Sequence, residues 1–155
     1  MNNNVVNGKL DSTEMARRFC DRLERLRTDT PRQWGKMTSH QMMCHLVDCF
    51  RGVKGEVHVR SAVNPFSRTV MRWVALHTAM PWPHGVATRP EMAQDKGGTP
   101  PAEWTSDFAE LKRRILEFPV QTGFAQHPVF GPMTLDEWHI WGYRHTDHHF
   151  RQFGL

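Results

Sequence analysis

Hydrophobic residues recur along this chain at helical spacing, and the stripes they draw predict its elements. Ser12 offers an N-cap followed by an acid in the first turn, and Met15, Phe19, Leu23 and Leu26 then fall on one face, predicting a first helix to about Arg27. The segment TDTPRQWGK breaks the pattern, with Pro31 and Gly35 as its punctuation. Thr38 opens a capping box with Gln41, and Met42, His45, Leu46, Cys49, Phe50 and Val53 form the inward face of a second helix ending near Val53. A third helix, from about Pro65 to Met80, carries Val70, Trp73, Val74 and His77. A fourth, from about Ala102 to Phe118, has Trp104, Phe108, Leu111 and Ile115 in register. Thr134 and Glu137 form a second capping box, from which the last helix runs to about Phe153.

Between the third and fourth helices lie residues 81–101, with five Pro and three Gly. They predict a long structured loop, a type that is uncommon in compact domains and often functional. Only residues 55–63 alternate as a strand would, and no second run pairs with them. The expectation is an all-α chain: a four-helix bundle with an additional short helix and a long loop. Residues 1–10 read as a disordered polar tail, and residues 11–155 as a single domain.

Composition narrows the class. Three cysteines, 20, 44 and 49, show no disulfide-framework spacing and predict a reducing, cytoplasmic setting. No apolar run is long enough to span a bilayer, and the N-terminus lacks the pattern of a signal peptide. The formal net charge is +4 with a pI near 9.3, but the basic residues are scattered among acids, which argues for a solvated surface and against a nucleic-acid partner. Six Trp and nine Phe exceed what one bundle seam readily buries, and predict a homodimer.

The chemistry concentrates in the last helix. At about 100° per residue, Trp138, Trp141, His149 and Gln152 all lie within roughly 40° of His145, whereas His148 lies about 60° away and Arg144 and Asp147 further out. His145 and His149 therefore share the tryptophan face, which must be buried. Two stacked imidazoles in an apolar core bring more donors and acceptors than such a core satisfies, and a divalent cation meets both lone pairs at once. His45, on the inward face of the second helix, can supply a third ligand, leaving a fourth position for water or substrate. Cys49, one turn from His45, can instead close the site and make it structural. Asp48 reads as an outer partner of His45 or a surface acid, and Gln152 either as an outer-shell acceptor for a ligating histidine or as a bridge to another helix's backbone. His40, His58, His77, His84, His127 and His139 lack a paired spacing; His139 is expected at the surface and His127 in a turn.

The segments CHLVDCF, HPVFGPMTLDEW and HTDHHFRQFG resemble the DinB/YfiT-like superfamily, within a branch known as a domain of unknown function, over about residues 12–155. The resemblance implies an up-down-down-up four-helix bundle, often a homodimer. It also implies that His45, His145 and His149 bind a divalent metal such as zinc or nickel. Relatives commonly carry Arg directly after the last ligand; this chain has Phe150 there and Arg151 one place later. Some members are transferases or isomerases of low-molecular-weight thiols, so the resemblance implies a small-molecule substrate, a thiol or water nucleophile activated at the metal, and transfer or hydrolysis. A pocket would be shaped by Trp82, His84 and Arg89. No residue is identified as the general base. The alternative is a non-catalytic bundle that the metal staples, serving in stress response or binding.

Overall fold

A computed structural model describes residues 8–155, and among these the chain is all-helical. Five α-helices form it: α1 (Thr13–Leu23), α2 (Ser39–Val53), α3 (Arg72–His77), α4 (Trp104–Glu117) and α5 (Leu135–Gln152). Short 3-10 turns at Pro90–Met92 and Phe118–Val120 serve the connections. The caps predicted from sequence are made. Ser12 accepts from the Met15 amide, and Thr38 with Gln41 and Thr134 with Glu137 each form both bonds of a capping box.

Most of the proposed tail, residues 1–7, lies outside the described residues; Leu10 is fully buried, and its amide donates to the His139 carbonyl at 2.9 Å. Helix α1 ends at Leu23, short of Arg27, because the chain turns through a Leu26 N–H to Leu23 carbonyl bond of 2.9 Å. That turn still delivers Leu26 to the core, so the apolar pattern was right about burial and wrong about conformation.

The third helix departs most from expectation. It enters through a π-helical turn, Ser67–Met71, and its α-helical part stops at His77. A π turn inserts an extra residue and rotates everything beyond it. Val70, within the turn, and Trp73, beyond it, are 52% and 60% exposed, and Leu76 is the residue turned inward. Ser67 anchors the turn by donating to the Val129 carbonyl at 2.7 Å. The alternating 55–63 segment forms no strand; it runs beside the 127–131 turn, where the Ala62 amide meets the Pro128 carbonyl at 2.7 Å. His127 lies in that turn, as expected, and its Nδ1 accepts from the Val129 and Phe130 amides.

Contacts at the helix ends fix relative directions. His40 bonds Asp107 near the starts of α2 and α4, and Lys54 meets Glu117 near their ends, so these two helices run the same way. Leu10 meets His139 near the start of α5 and Arg22 pairs with Asp147 near its end, so α1 runs with α5. The Gln33 amide, just before α2, bonds the Gln152 carbonyl at the end of α5, while Phe50 packs on Trp141 further back, so α2 opposes α5.

Helix α5 is enclosed on more sides than one stripe allows. Asp147, expected to point outward, is 8% exposed because Arg22 of α1 covers it at 2.7 Å. His139, expected at the surface, is half-buried against Phe118, and its Nε2 has no hydrogen-bond partner among the described residues. The basic run 112–114 is spent on acids: Lys112 on Glu24, Arg113 on Glu110 and Glu117, Arg114 on Glu56 and Glu110. Among the described residues, no helix is long and apolar enough to cross a membrane.

Gly142 shows how closely α5 is approached. A Cβ there would lie 2.5 Å from the Phe118 ring, and that ring is itself fixed among Phe50, Phe124 and Trp141. Gly142→Ala is expected to lower stability by about 1–3 kcal/mol from overpacking, despite a gain in helix propensity of about 1 kcal/mol. Chemical denaturation measures this; a more stable Ala variant would mean that the ring yields and the packing is looser than described.

Candidate metal centre

His45 comes from the middle of α2, and His145 and His149 from consecutive turns of α5. Their rings converge: His45 lies 5.5 Å from His145 and 4.7 Å from His149, and the two α5 rings are 4.8 Å apart, all centroid to centroid. One ring nitrogen from each lies within 4.8 Å of those of the other two. His45 and His149 are buried, while His145 keeps partial exposure. His145 stacks on Trp141 at 4.8 Å, so the tryptophan face positions the ligand set from one side.

Each buried ring is oriented by its outer nitrogen. The His45 Nδ1 is 2.9 Å from the Met92 carbonyl, which can only accept. The His149 Nδ1 is 3.0 Å from Gln152 Oε1, and the Gln152 amide nitrogen donates to the Trp34 carbonyl at 2.9 Å. The carbonyl at Trp34 dictates which way the amide points, so Oε1 must face His149 and accept from it. Both rings therefore carry their proton on Nδ1, which leaves Nε2 as the nitrogen with a lone pair free to ligate. This is the arrangement by which proteins prepare histidine for a metal.

Electrostatics favour the same state. Burial first, then the neighbouring His149 and His45, hold the basicity of His145 well below the ordinary histidine range. His149 is lowered in the same way, by burial and then by His45, with Gln152 opposing. Burial lowers His45 too, against the opposing Met92 carbonyl. Three neutral imidazoles with converging ring nitrogens fit a divalent cation, and no carboxylate joins them within ligand distance among the described residues.

The remaining candidates fall in different places. Cys49 packs against His45, with Sγ 3.6 Å from Nε2, but it stands outside the converging group and its thiol donates to the Met92 sulfur at 3.4 Å. Burial and then Asp48 push that thiol far up, away from thiolate. Asp48 is 1% exposed, and its hydrogen bonds go to groups other than the three rings. Its carboxylate accepts from the Thr99 amide and hydroxyl, both at 2.7 Å, and from Gln94 at 3.1 Å. It thereby pins the loop whose Met92 carbonyl holds His45. Trp82 and His84 do reach the site's flank. Trp82 lies 5.9 Å from His145, and His84 stacks on Trp34 at 4.0 Å beside His148. Arg89 instead donates to the Arg60 carbonyl at 2.7 Å, away from the triad.

Trp34 and the Met92 carbonyl escaped sequence reasoning. Trp34 sits in a loop with no periodicity, and a backbone carbonyl has no signature in a sequence. A second cluster, His40, Cys44 and Asp107, was also missed, although its first two members have i, i+4 spacing on α2.

The fold is thus an all-helical one whose interior gathers three histidines from two helices. The chain belongs to a family of proteins of unknown function, DUF1569, whose sequence profile matches residues 8–154. No curated protein and no solved structure matches the chain.

Gln152 makes both of the bonds between which the sequence left a choice, so its replacement carries two separable costs. Gln152→Leu is expected to weaken metal affinity about 10- to 100-fold and to lower stability of the metal-free protein as well. Gln152→Glu keeps the acceptor for His149 but gives up the donor to Trp34, so it should retain more of the affinity. Chelator competition and thermal melts separate the two; unchanged affinity in the Leu variant would remove Gln152 from the metal's support.

Proposed function

We propose that His45, His145 and His149 hold a divalent metal, zinc or nickel, and that the protein is a metal-dependent enzyme of the DinB/YfiT-like superfamily. The convergence of three ring nitrogens, with Nδ1 of His45 and His149 already engaged by acceptors, is the observation that carries this reading. The directions of the four long helices support the superfamily assignment, since α1 and α5 run together against α2 and α4, as up-down-down-up connectivity requires. Cys49 stands outside the group of converging ring nitrogens, which favours an open fourth position over a closed staple.

A bound divalent ion supplies Lewis acidity at that open position, favouring the thiolate of a thiol or the hydroxide of water at neutral pH. The chain's own residues prepare the position. His45 and His149 stay neutral and oriented because Met92 and Gln152 hold their outer nitrogens. Trp82, with Arg144 over its ring at 5.8 Å, and the stacked pair of Trp34 and His84 wall the flank beside His145 and His148. His148 stands outside the ligand set, its ring 5.2 Å from that of His149. Burial and then His84 lower its basicity. The substrate class that fits is a small electrophile, with a low-molecular-weight thiol or water as its partner. A cytoplasmic homodimer is the accompanying expectation, with the exposed Phe66, Val70 and Trp73 as the surface for pairing.

Metal analysis of the purified protein tests the site. His145→Ala and His149→Ala should each remove most of the metal held there, while His148→Ala should retain it. Equal loss in the His148 variant would mean that the wrong face of α5 has been chosen. A screen for thiol conjugation and ester hydrolysis, with metal removed and restored, tests the reaction. Turnover that does not depend on the metal would contradict the metal's part in the reaction, and no turnover at all would contradict the enzymatic reading.

A further inference from the structure

The second cluster joins the first two turns of α2 to the first turn of α4. His40 and Cys44 lie one turn apart on α2, and Asp107 faces them from α4. His40 Nε2 is 2.7 Å from Asp107 Oδ2, and the Cys44 thiol is 3.6 Å from the same oxygen. The Ala102 amide also donates to it at 3.1 Å. One nitrogen, one sulfur and one oxygen thus lie within 4.8 Å of one another, around a carboxylate oxygen that carries three donors. Trp104 covers one side, its ring 5.3 Å from that of His40.

We propose that His40, Cys44 and Asp107 form a second metal site, selective for a thiophilic divalent cation such as zinc and separate from the three-histidine centre. The donor set is what zinc takes from proteins, and the spacing is close to what its coordination demands. In a tetrahedral zinc site a carboxylate oxygen stands roughly 3.6 Å from a thiolate sulfur and roughly 3.4 Å from an imidazole nitrogen. The sulfur–oxygen separation already meets this. The nitrogen–oxygen pair must open by somewhat under about 1 Å, as a hydrogen bond gives way to shared coordination. Side chains of His40 and Asp107 retain 21% and 23% exposure, so an ion can reach them and the fourth position opens to solvent.

The exchange balances simply. The ion takes the place of the hydrogens that His40 and Cys44 present to Asp107. The Cys44 proton leaves to solvent, and the His40 proton passes through solvent from Nε2 to Nδ1. Adjacent residues Cys44 and His45 point to different sites because successive side chains on a helix diverge by about 100°. The three-histidine centre, by contrast, offers no sulfur in its ligand set, and this difference makes the two sites separately readable.

Cobalt titration of the chelator-treated full-length protein, followed by absorption and by metal analysis, tests the proposal. A thiolate ligand gives cobalt a charge-transfer absorption in the near ultraviolet, which an all-histidine site lacks. The expected result is two equivalents per chain and a charge-transfer band. Cys44→Ser should abolish the band and remove one equivalent, and Cys49→Ser and Cys20→Ser should leave both unchanged. Asp107→Asn, which keeps an acceptor for the Ala102 amide, should weaken this equivalent by more than the roughly 10- to 100-fold that loss of an outer-shell partner costs. In a His145→Ala, His149→Ala double variant the band should persist and cobalt should still raise the melting temperature. A single equivalent with the band intact in the unaltered protein would sink the first site and spare the second. Titration without a charge-transfer band, or a band that depends on Cys49 or Cys20, would overturn the proposal. Circular dichroism of each variant confirms that it has folded.

Discussion

The Gln152 side chain is bonded at both ends, and much of the molecule's order follows from that. Its carbonyl oxygen accepts a hydrogen bond from His149, and its amide nitrogen donates to the Trp34 carbonyl in the loop before α2. The loop must come close enough for this, and Gly35 is what permits it. Gly35 adopts a φ of +81°, and a Cβ there would sit 2.3 Å from the Gln152 nitrogen. The backbone bond from Gln33 to Gln152 reinforces the same junction. A side chain at the end of α5 thus sets the tautomer of one histidine and the path of the chain into the helix that carries another.

The other half of the centre is held by a different device with the same logic. His45 depends on the Met92 carbonyl, a backbone group in a loop that has only a short 3-10 turn of its own. Asp48, three residues along α2 from His45, supplies the rigidity by gathering Thr99 and Gln94 onto its buried carboxylate. Gly98 packs with its α-carbon against the backbone of Met92 and Ala93, where any Cβ would come within 2.9 Å. The loop of residues 81–101 is therefore a fixed part of the site. It carries an acceptor for one histidine and, in Trp82 and His84, part of the flank of the others.

Much of this was legible in the sequence where side-chain period meets helix geometry. The face shared by Trp138, Trp141, His145, His149 and Gln152 follows from their spacing alone, and so does the inward placement of His45. The capping boxes at Thr38 and Thr134 located two helix starts for the same reason: both partners lie within four residues. What could not be read depends on long-range or backbone contacts. A π turn at Ser67–Met71 leaves no periodic trace, and Val70, within it, and Trp73, beyond it, are exposed to solvent. Asp147 looked like a surface acid until Arg22, from the far end of the sequence, covered it. Asp48 was read as an outer partner of His45 or a surface acid; it is buried and serves the loop that holds His45. Family membership adds a shared sequence over residues 8–154 and leaves the chemistry to the site itself.

The central claim is that His45 and His149 are prepared as Nδ1–H tautomers whose Nε2 lone pairs, together with a ring nitrogen of His145, meet at one ion. Nitrogen-15 resonances of the histidine rings, recorded on the chelator-treated protein and again with zinc, test it most directly. The account predicts protonated Nδ1 on His45 and His149 in both states. Zinc should move the Nε2 resonances of those two rings and one ring nitrogen of His145, and leave His148 unmoved. A proton on Nε2 of His45 or His149, or three rings that do not respond to zinc, would contradict it.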